Sequence, residues 1–413
     1  MQRARVGIVG CGPMGRRHVA GYAELAATPF ANVEVAAVCD LNDRAVEQMA
    51  EECRVLLGSR PRVFQSIATM AEAVDSLAGV DIVTDPRSHH RIAIECLDRG
   101  LHVQVEKPLA ITIRACNLLI RASRRSRGRL SVAENFRRDP MNRLIRAMID
   151  DGAIGDPAMV LETSARGGDR VLGSEWRHDA LSGGLLLDLG IHTASLLRYF
   201  GGDIESVMGA TRLVRRRRRR VGRGAREGEW IGATAHDLLT AVLQFRHGIV
   251  GQWCLNAAAA GQMVRQRVLY GSRGSIVAPV DASGRSPRLD LIEGRSLTDD
   301  ALLEYAPSYR LDALGAHLFG VERPTSYRLS TPEIDRKLLA MELHGFGDVI
   351  LKGSLPEVDA LGGRRDVALV CAVLESARLQ RAISLDQVES GDHDLAQREM
   401  DGDLGLIEVP GAD

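Results

Sequence analysis

Near its start the chain places a short apolar strand, Arg5-Val-Gly-Ile-Val9, directly before Gly10-Cys-Gly-Pro-Met-Gly15 and a helical pattern reaching about residue 27. Few folds accommodate that order. Gly10 permits a sharp turn, Gly12 lets the backbone approach a bulky anion, and Gly15 lets helix and strand pack closely. The helix start then turns free N–H groups and the positive end of its dipole toward that anion. A second strand, 33–39, closes on Asp40, 25 residues after Gly15. This spacing predicts a dinucleotide crevice, with Asp40 accepting hydrogen bonds from a ribose hydroxyl and repelling a 2′-phosphate. NAD is therefore expected rather than NADP.

Further strands at 80–84, 101–105 and 130–133 alternate with helices at 44–53, 88–99 and 111–126. Strand–helix alternation implies right-handed crossovers and a parallel sheet, so residues 1–135 are read as an α/β Rossmann domain. With 413 residues the chain is too long for one ordinary core. From 136 the pattern changes, with a helix at 139–150, a strand at 158–165 and an apolar helix at 183–200. Strands follow at 207–214, 238–245, 249–255, 264–270, 275–278 and 289–292, and Arg246-His-Gly248 makes a hairpin turn. Residues 136–390 are thus expected to form an α+β domain with a large, mainly antiparallel open sheet, closed by helices at 333–351 and 364–381. Residues 297–330, with Tyr305, Tyr309 and Tyr327, read as a loop over the cleft, and 391–413 as an acidic, loosely held tail.

Composition narrows the partners. A net charge of −1 gives no pull toward nucleic acid or membrane, and no apolar run reads as a span of about 20 residues. Arg215–Arg220 is expected to be a solvated, mutually repelling loop. Seven cysteines without a CxxC suit reduced, buried thiols, and the first residues lack an apolar signal region. A cytoplasmic location is expected, and no metal-ligand cluster stands out.

Of 53 basic residues only three are lysines, Lys107, Lys337 and Lys352. Lys107 follows a strand end in Leu101-His-Val-Gln-Val-Glu-Lys-Pro108. Either it is a leftover, or it supplies a compact ammonium or a transferable proton that a guanidinium cannot. Asp188 and His192 are spaced i, i+4 on the apolar helix and share a face. They are either a satisfied core pair or a general base, His192, oriented by Asp188. Trp176-Arg177 offers a flat wall and a hydroxyl-binding cation, or equally packing and a surface charge.

These motifs together resemble the Gfo/Idh/MocA family of oxidoreductases. The resemblance rests on Gly10-x-Gly12-x-x-Gly15, Pro86-Arg-Ser-His-His90, Gly100–Pro108, Asn135-Phe-Arg-Arg-Asp-Pro140, Gly152-Ala-Ile-Gly-Asp-Pro157 and Gly183–His192. It implies NAD contacts from Gly10, Gly12, Pro13, Met14, Gly15, Asp40, Pro86, His90, Glu106 and Lys107. It also implies a catalytic set Lys107, Asp188 and His192, and substrate contacts from Asn135, Arg137, Trp176 and Arg177. In that family the lysine lies beside the nicotinamide and its bond to proline is commonly cis. Two positions depart from the pattern: Asp85 stands where the family usually has threonine, and Ser195 where it often has a second aspartate. The implied activity is hydride transfer between nicotinamide and a secondary hydroxyl of a sugar, glycoside or cyclitol. An NAD-dependent glycosidase using transient oxidation is the alternative enzyme. A non-catalytic NAD-sensing regulator is the alternative of another class, which the intact lysine, aspartate and histidine set opposes. Relatives of this kind stack their sheet on a copy, so a dimer or tetramer through the C-terminal sheet is expected.

Overall fold

The computed structural model describes residues 2–221 and 226–408. Met1, 222–225 and 409–413, the last closing the segment expected as a tail, lie outside the described residues. The first half runs β1 (Ala4–Val9), α1 (Pro13–Ala26), β2 (Val33–Cys39), α2 (Asp43–Leu57), β3 (Arg62–Phe64), α3 (Ile67–Ala73), β4 (Leu77–Ile82), α4 (His89–Asp98), β5 (His102–Glu106), α5 (Ile113–Arg125) and β6 (Leu130–Ala133). The strands form a parallel sheet in the order β3-β2-β1-β4-β5-β6. Strand order reverses between β1 and β4, which opens a crevice at the C-terminal ends of the strands. Local sequence sets the boundaries. Asn42 caps α2 by accepting from Ala45 N at 3.0 Å, and Gly58 ends it in the left-handed region.

The second half continues with α6 (Pro140–Asp150), β7 (Pro157–Gly167), α7 (Gly184–Gly201), β8 (Ile204–Arg212), β9 (Arg217–Arg219), β10 (Trp230–Gly232), β11 (Leu238–Phe245) and β12 (Val250–Ala259). Then come β13 (Val264–Gly271), β14 (Gly274–Ala278), β15 (Arg288–Leu291), β16 (Ser296–Leu297), α8 (Ala313–Phe319), α9 (Thr331–Lys352), α10 (Ala360–Leu379), β17 (Ile383–Ser384), α11 (Leu385–Ser390) and α12 (Arg398–Asp403). Nine of these strands form one sheet, β16-β15-β14-β13-β7-β12-β11-β8-β17, antiparallel except where β12 meets β7. The stretch Ala180–Gly201, which ends with α7, is by length and composition apolar enough to cross a membrane, contrary to the reading of the sequence. The side chains of α7 are largely buried inside the protein, and the helix packs on α10.

The two halves are not separate in space. Helix α9 packs on α1, and Leu343 and Phe346 join the core of Val6, Ile8, Val19 and Leu25. A Cβ at Gly21 would lie 2.7 Å from Leu339 Cβ, so glycine is what lets these helices approach. A segment of the second half therefore completes the first.

Three expectations are corrected. The arginine run is no solvated loop: β9 pairs with β10, and Arg218 is fully buried. Its Nη1 donates to Arg170 O and Ala257 O at 3.0 and 3.1 Å, and its Nη2 to Asp237 Oδ2 at 2.7 Å. Arg217 lies 5.6 Å over Trp230, and Arg220 pairs with Glu175 and Glu229. Of the residues expected over the cleft, Tyr309 donates instead to Pro140 O and Pro324 O, and Tyr327 to Asp139 Oδ1. Residues 392–408 dock rather than hang free. Ile113 N donates to Gln397 Oε1 at 2.7 Å, Arg114 Nε to Asp401 Oδ2 at 3.3 Å, and Arg87 pairs with Asp403.

The core also holds an acidic side chain of α9. Glu342 on α9 is 3% exposed and neither carboxylate oxygen has a partner. Burial is the main cause that pushes it up to about 8 from an ordinary 4.5. The folded chain then holds a proton that the unfolded chain releases between those values, so stability falls as pH rises across that window, by up to about 1.4 kcal/mol per unit. Glu342→Gln is expected to abolish this loss. Thermal midpoints of both forms from about pH 5 to pH 8.5 should diverge, the variant gaining as pH rises. Parallel curves would show that Glu342 does not hold the proton.

Candidate active site

Glu106 ends β5, Lys107 follows it, and the bond from Lys107 to Pro108 is cis. Lys107 Nζ donates to Asp188 Oδ1 and to Asp188 O, both at 3.2 Å. On the other side, Arg177 Nε lies 2.7 Å from Asp188 Oδ2, close enough for an ion pair but off line for a hydrogen bond. Burial alone would raise the Asp188 carboxyl, but Lys107 and Arg177 hold it below the usual range. Asp188 is thus committed to the two cations.

That commitment changes the role assigned to it. The orienting partner of His192 is Glu134, whose oxygens lie 2.9 and 3.0 Å from Nδ1. Glu134 directly follows β6, is 2% exposed, and also accepts from Phe136 N at 3.1 Å. Burial would raise its carboxyl, yet His192 beside it brings the balance down. With Nδ1–H donated to Glu134, Nε2 is the nitrogen able to accept a proton. Phe136 stacks on the imidazole, centroids 4.4 Å apart. Sequence reasoning missed Glu134. The available signal was a carboxylate closing an apolar strand, as Asp40 and Glu106 also do.

A cavity of about 160 Å³ gathers Met14, Pro86, Glu106, Lys107, Asn135, Trp176, Arg177, Asp188 and His192 from the sequence-derived set. It adds Arg17, Thr84, Ala133 and Phe136. The Arg177 guanidinium sits 5.0 Å over the Trp176 ring. Thr84 offers a hydroxyl one position before the Asp85 departure and holds it 2.7 Å from Ser88 Oγ. Arg137 does not line this cavity. Its guanidinium donates to Ser195 Oγ and Ser195 O at 2.9 and 3.2 Å, so the Ser195 departure makes a helix brace. His90 is buried on α4 and does not line the cavity either. Its neighbour His89 is the anchoring residue, with Nδ1 2.9 Å from Pro108 O and Nε2 3.2 Å from Thr84 O.

The glycine turn fits a dinucleotide. Gly10 has φ +106°, a Cβ on Gly15 would lie 2.3 Å from Gly10 O, and nothing lies within 4 Å of a Cβ on Gly12. The start of α1 has no side-chain cap, which leaves its N–H groups for an anion. Asp40 accepts from Cys11 N at 2.7 Å and Asn42 N at 2.9 Å, which fixes its carboxylate at the end of β2. Asp40→Ala is expected to weaken NAD by one hydrogen bond to a charged group, about 1.5–3 kcal/mol, and to narrow its advantage over NADP. Comparing kcat/KM for the two cofactors checks this. A wild-type chain that already prefers NADP would overturn the role given to Asp40.

The comparisons agree with this geometry. Residues 4–134 match the model of the oxidoreductase family with NAD-binding Rossmann fold, and residues 142–277 the GFO/IDH/MocA C-terminal domain. Among curated relatives, D-apiose dehydrogenase of Paraburkholderia graminis is 26% identical over 52% of this chain and 54% of its own. Glucose-6-phosphate 3-dehydrogenase of Bacillus subtilis is 26% identical over 47% and 53%. Alpha-N-acetylgalactosaminidase of Shewanella oneidensis is 28% identical over 38% and 34%. The chain thus spans about half the length, or less, of the curated relatives it matches. In fold it is similar to an NAD-binding oxidoreductase from Klebsiella pneumoniae, with TM-score 0.76, 23% identity, and 93% of this chain and 99% of that one covered. It is also similar to levoglucosan dehydrogenase solved with NADH and L-sorbose, with TM-score 0.75, 22% identity, and 94% and 100% covered. Two family models in tandem, matched to the glycine turn and the lysine-bearing cleft, place the chain in the Gfo/Idh/MocA family of oxidoreductases, with an NAD-binding Rossmann domain.

Proposed function

We propose that the chain oxidises a secondary hydroxyl of a sugar, glycoside or cyclitol, with NAD as hydride acceptor. The observation that carries this reading is the convergence of Lys107, Asp188, His192 and Glu134 at the end of the parallel sheet. NAD supplies the site that receives the hydride; the residues supply the rest. Lys107 Nζ, steadied by Asp188, donates to the substrate oxygen and stabilises negative charge as it develops. His192 Nε2 takes the hydroxyl proton, while Glu134 holds the tautomer and balances the imidazolium. Trp176 and Arg177 wall the same cavity, which supports contacts to ring faces and hydroxyls. NADH absorbance with a panel of polyols, aldoses and glycosides tests the reading, and no NADH with any of them would count against it.

The similarity to alpha-N-acetylgalactosaminidase favours one second reading, net glycoside hydrolysis with oxidation reversed in each cycle. Glycoside cleavage that needs NAD but accumulates no NADH would select it. Met208, Val242, Val250 and Tyr270 are exposed on the large sheet, which supports stacking on a second copy, a reading that solution mass checks. The seven cysteines are unpaired thiols and six are buried, which supports a reducing, cytoplasmic setting.

A further inference from the structure

His18 lies on α1, has no exposed surface, and takes no part in the chemistry above. Its Nδ1 is 2.8 Å from Asp81 Oδ2 and its Nε2 3.3 Å from Glu106 Oε1. Asp81, on β4 and equally buried, also accepts from Tyr22 Oη at 3.1 Å and Gln104 Nε2 at 3.4 Å. A neutral imidazole has one N–H, and an ionised carboxylate only accepts. With both carboxylates ionised, both contacts are hydrogen bonds only if His18 is the imidazolium. In agreement, burial would lower His18, but Asp81 and Glu106 hold it well above its usual range. Glu106 is held below its usual range despite burial.

The chain of charges therefore runs Asp81 negative, His18 positive, Glu106 negative. Glu342 adds no further charge while it keeps its proton, and Lys107 shares Asp188 with Arg177. Of Asp81, His18, Glu106 and Glu342, Glu106 alone lines the cavity. It stands at the tip of β5, across the crevice from the β1–β2 end, where the start of α1 and Asp40 await phosphate and ribose. A dinucleotide held there would extend its remaining end toward β5, and that end is the one that changes charge, cationic when oxidised and neutral when reduced.

We propose that His18 is a positioning residue: with Asp81 it holds Glu106 as a carboxylate beside the redox-active end of the cofactor, so that the chain binds NAD+ in preference to NADH. The inference rests on the NAD-binding reading and adds a residue and a redox preference to it. The test is titration of the full chain with NAD+ and with NADH, for wild type, Glu106→Gln, His18→Gln and the double variant. Each single variant is expected to weaken NAD+ about tenfold and NADH by no more than about twofold, with the double variant no worse than either single one. Equal weakening of both forms, an unchanged ratio, or additive effects would overturn it. If His18→Gln does not fold, ¹⁵N shifts of the wild-type imidazole decide: a doubly protonated ring supports the clamp and a neutral ring overturns it. A wild-type chain that binds neither form defeats the cofactor reading as well, whereas equal losses in Glu106→Gln defeat only this inference.

Discussion

Lys107→Met is expected to lower turnover by about 10³-fold or more while leaving the affinity for NAD within a few-fold. The methionine keeps the length of the side chain and removes the only ammonium among the described residues that line the cavity. Loss of one donor to a developing oxyanion costs about 10²–10³ in rate. Here the loss is compounded, because Asp188 keeps Arg177 but loses its other cation, at 3.2 Å. NAD should be spared, since phosphate and ribose fall to the start of α1 and to Asp40, on the far side of the crevice. Steady-state kinetics with a competent polyol, beside an NAD titration, separate the two effects. Near-normal turnover would end the mechanism, and a collapse of NAD affinity would recast Lys107 as a cofactor residue.

His192→Ala is expected to cost about 10²–10⁴-fold in oxidation, the usual contribution of a positioned acid–base group. Glu134→Gln should cost nearly as much. A glutamine can offer an N–H to Nδ1, which favours the tautomer with hydrogen on Nε2 and removes the lone pair that must accept the substrate proton. In the serine-protease triad a comparable amide swap at the orienting carboxylate costs about 10⁴ in kcat. Asp188→Asn should cost less, because Asp188 faces Lys107 and Arg177 and not the imidazole. The ranking is read from kcat for the three variants with saturating substrate. Wild-type turnover in Glu134→Gln would sever Glu134 from the mechanism, and wild-type turnover in His192→Ala would make Lys107 the leading candidate for the base.

What sequence could reveal divides by the range of the forces involved. Gly10 and Gly15 were legible because backbone geometry there tolerates no side chain, a local demand written in one position. Lys107 stood out by its rarity among arginines, and Asp188 and His192 by one helical turn of spacing. Glu134 escaped because its partner is 58 residues away, and a lone carboxylate after a strand has the same local pattern as a solvated one. Arg218 was hidden in a run whose repulsion looked decisive, since its four acceptors come from three distant stretches. The seat of α9 was equally opaque. Helical periodicity says that a face is buried, never which sheet or helix buries it.

The seat of α9 also bears on how the protein is made. The nucleotide-binding half leaves the ribosome complete in strands at Ala133, but the helix that covers α1 ends at Lys352, roughly two hundred residues later. At about 5–20 residues per second the groove around Gly21, Tyr22 and Leu25 stays uncovered for on the order of 10–40 s. During synthesis that strip is bare apolar surface, and it is covered only when the chain's own later helix arrives.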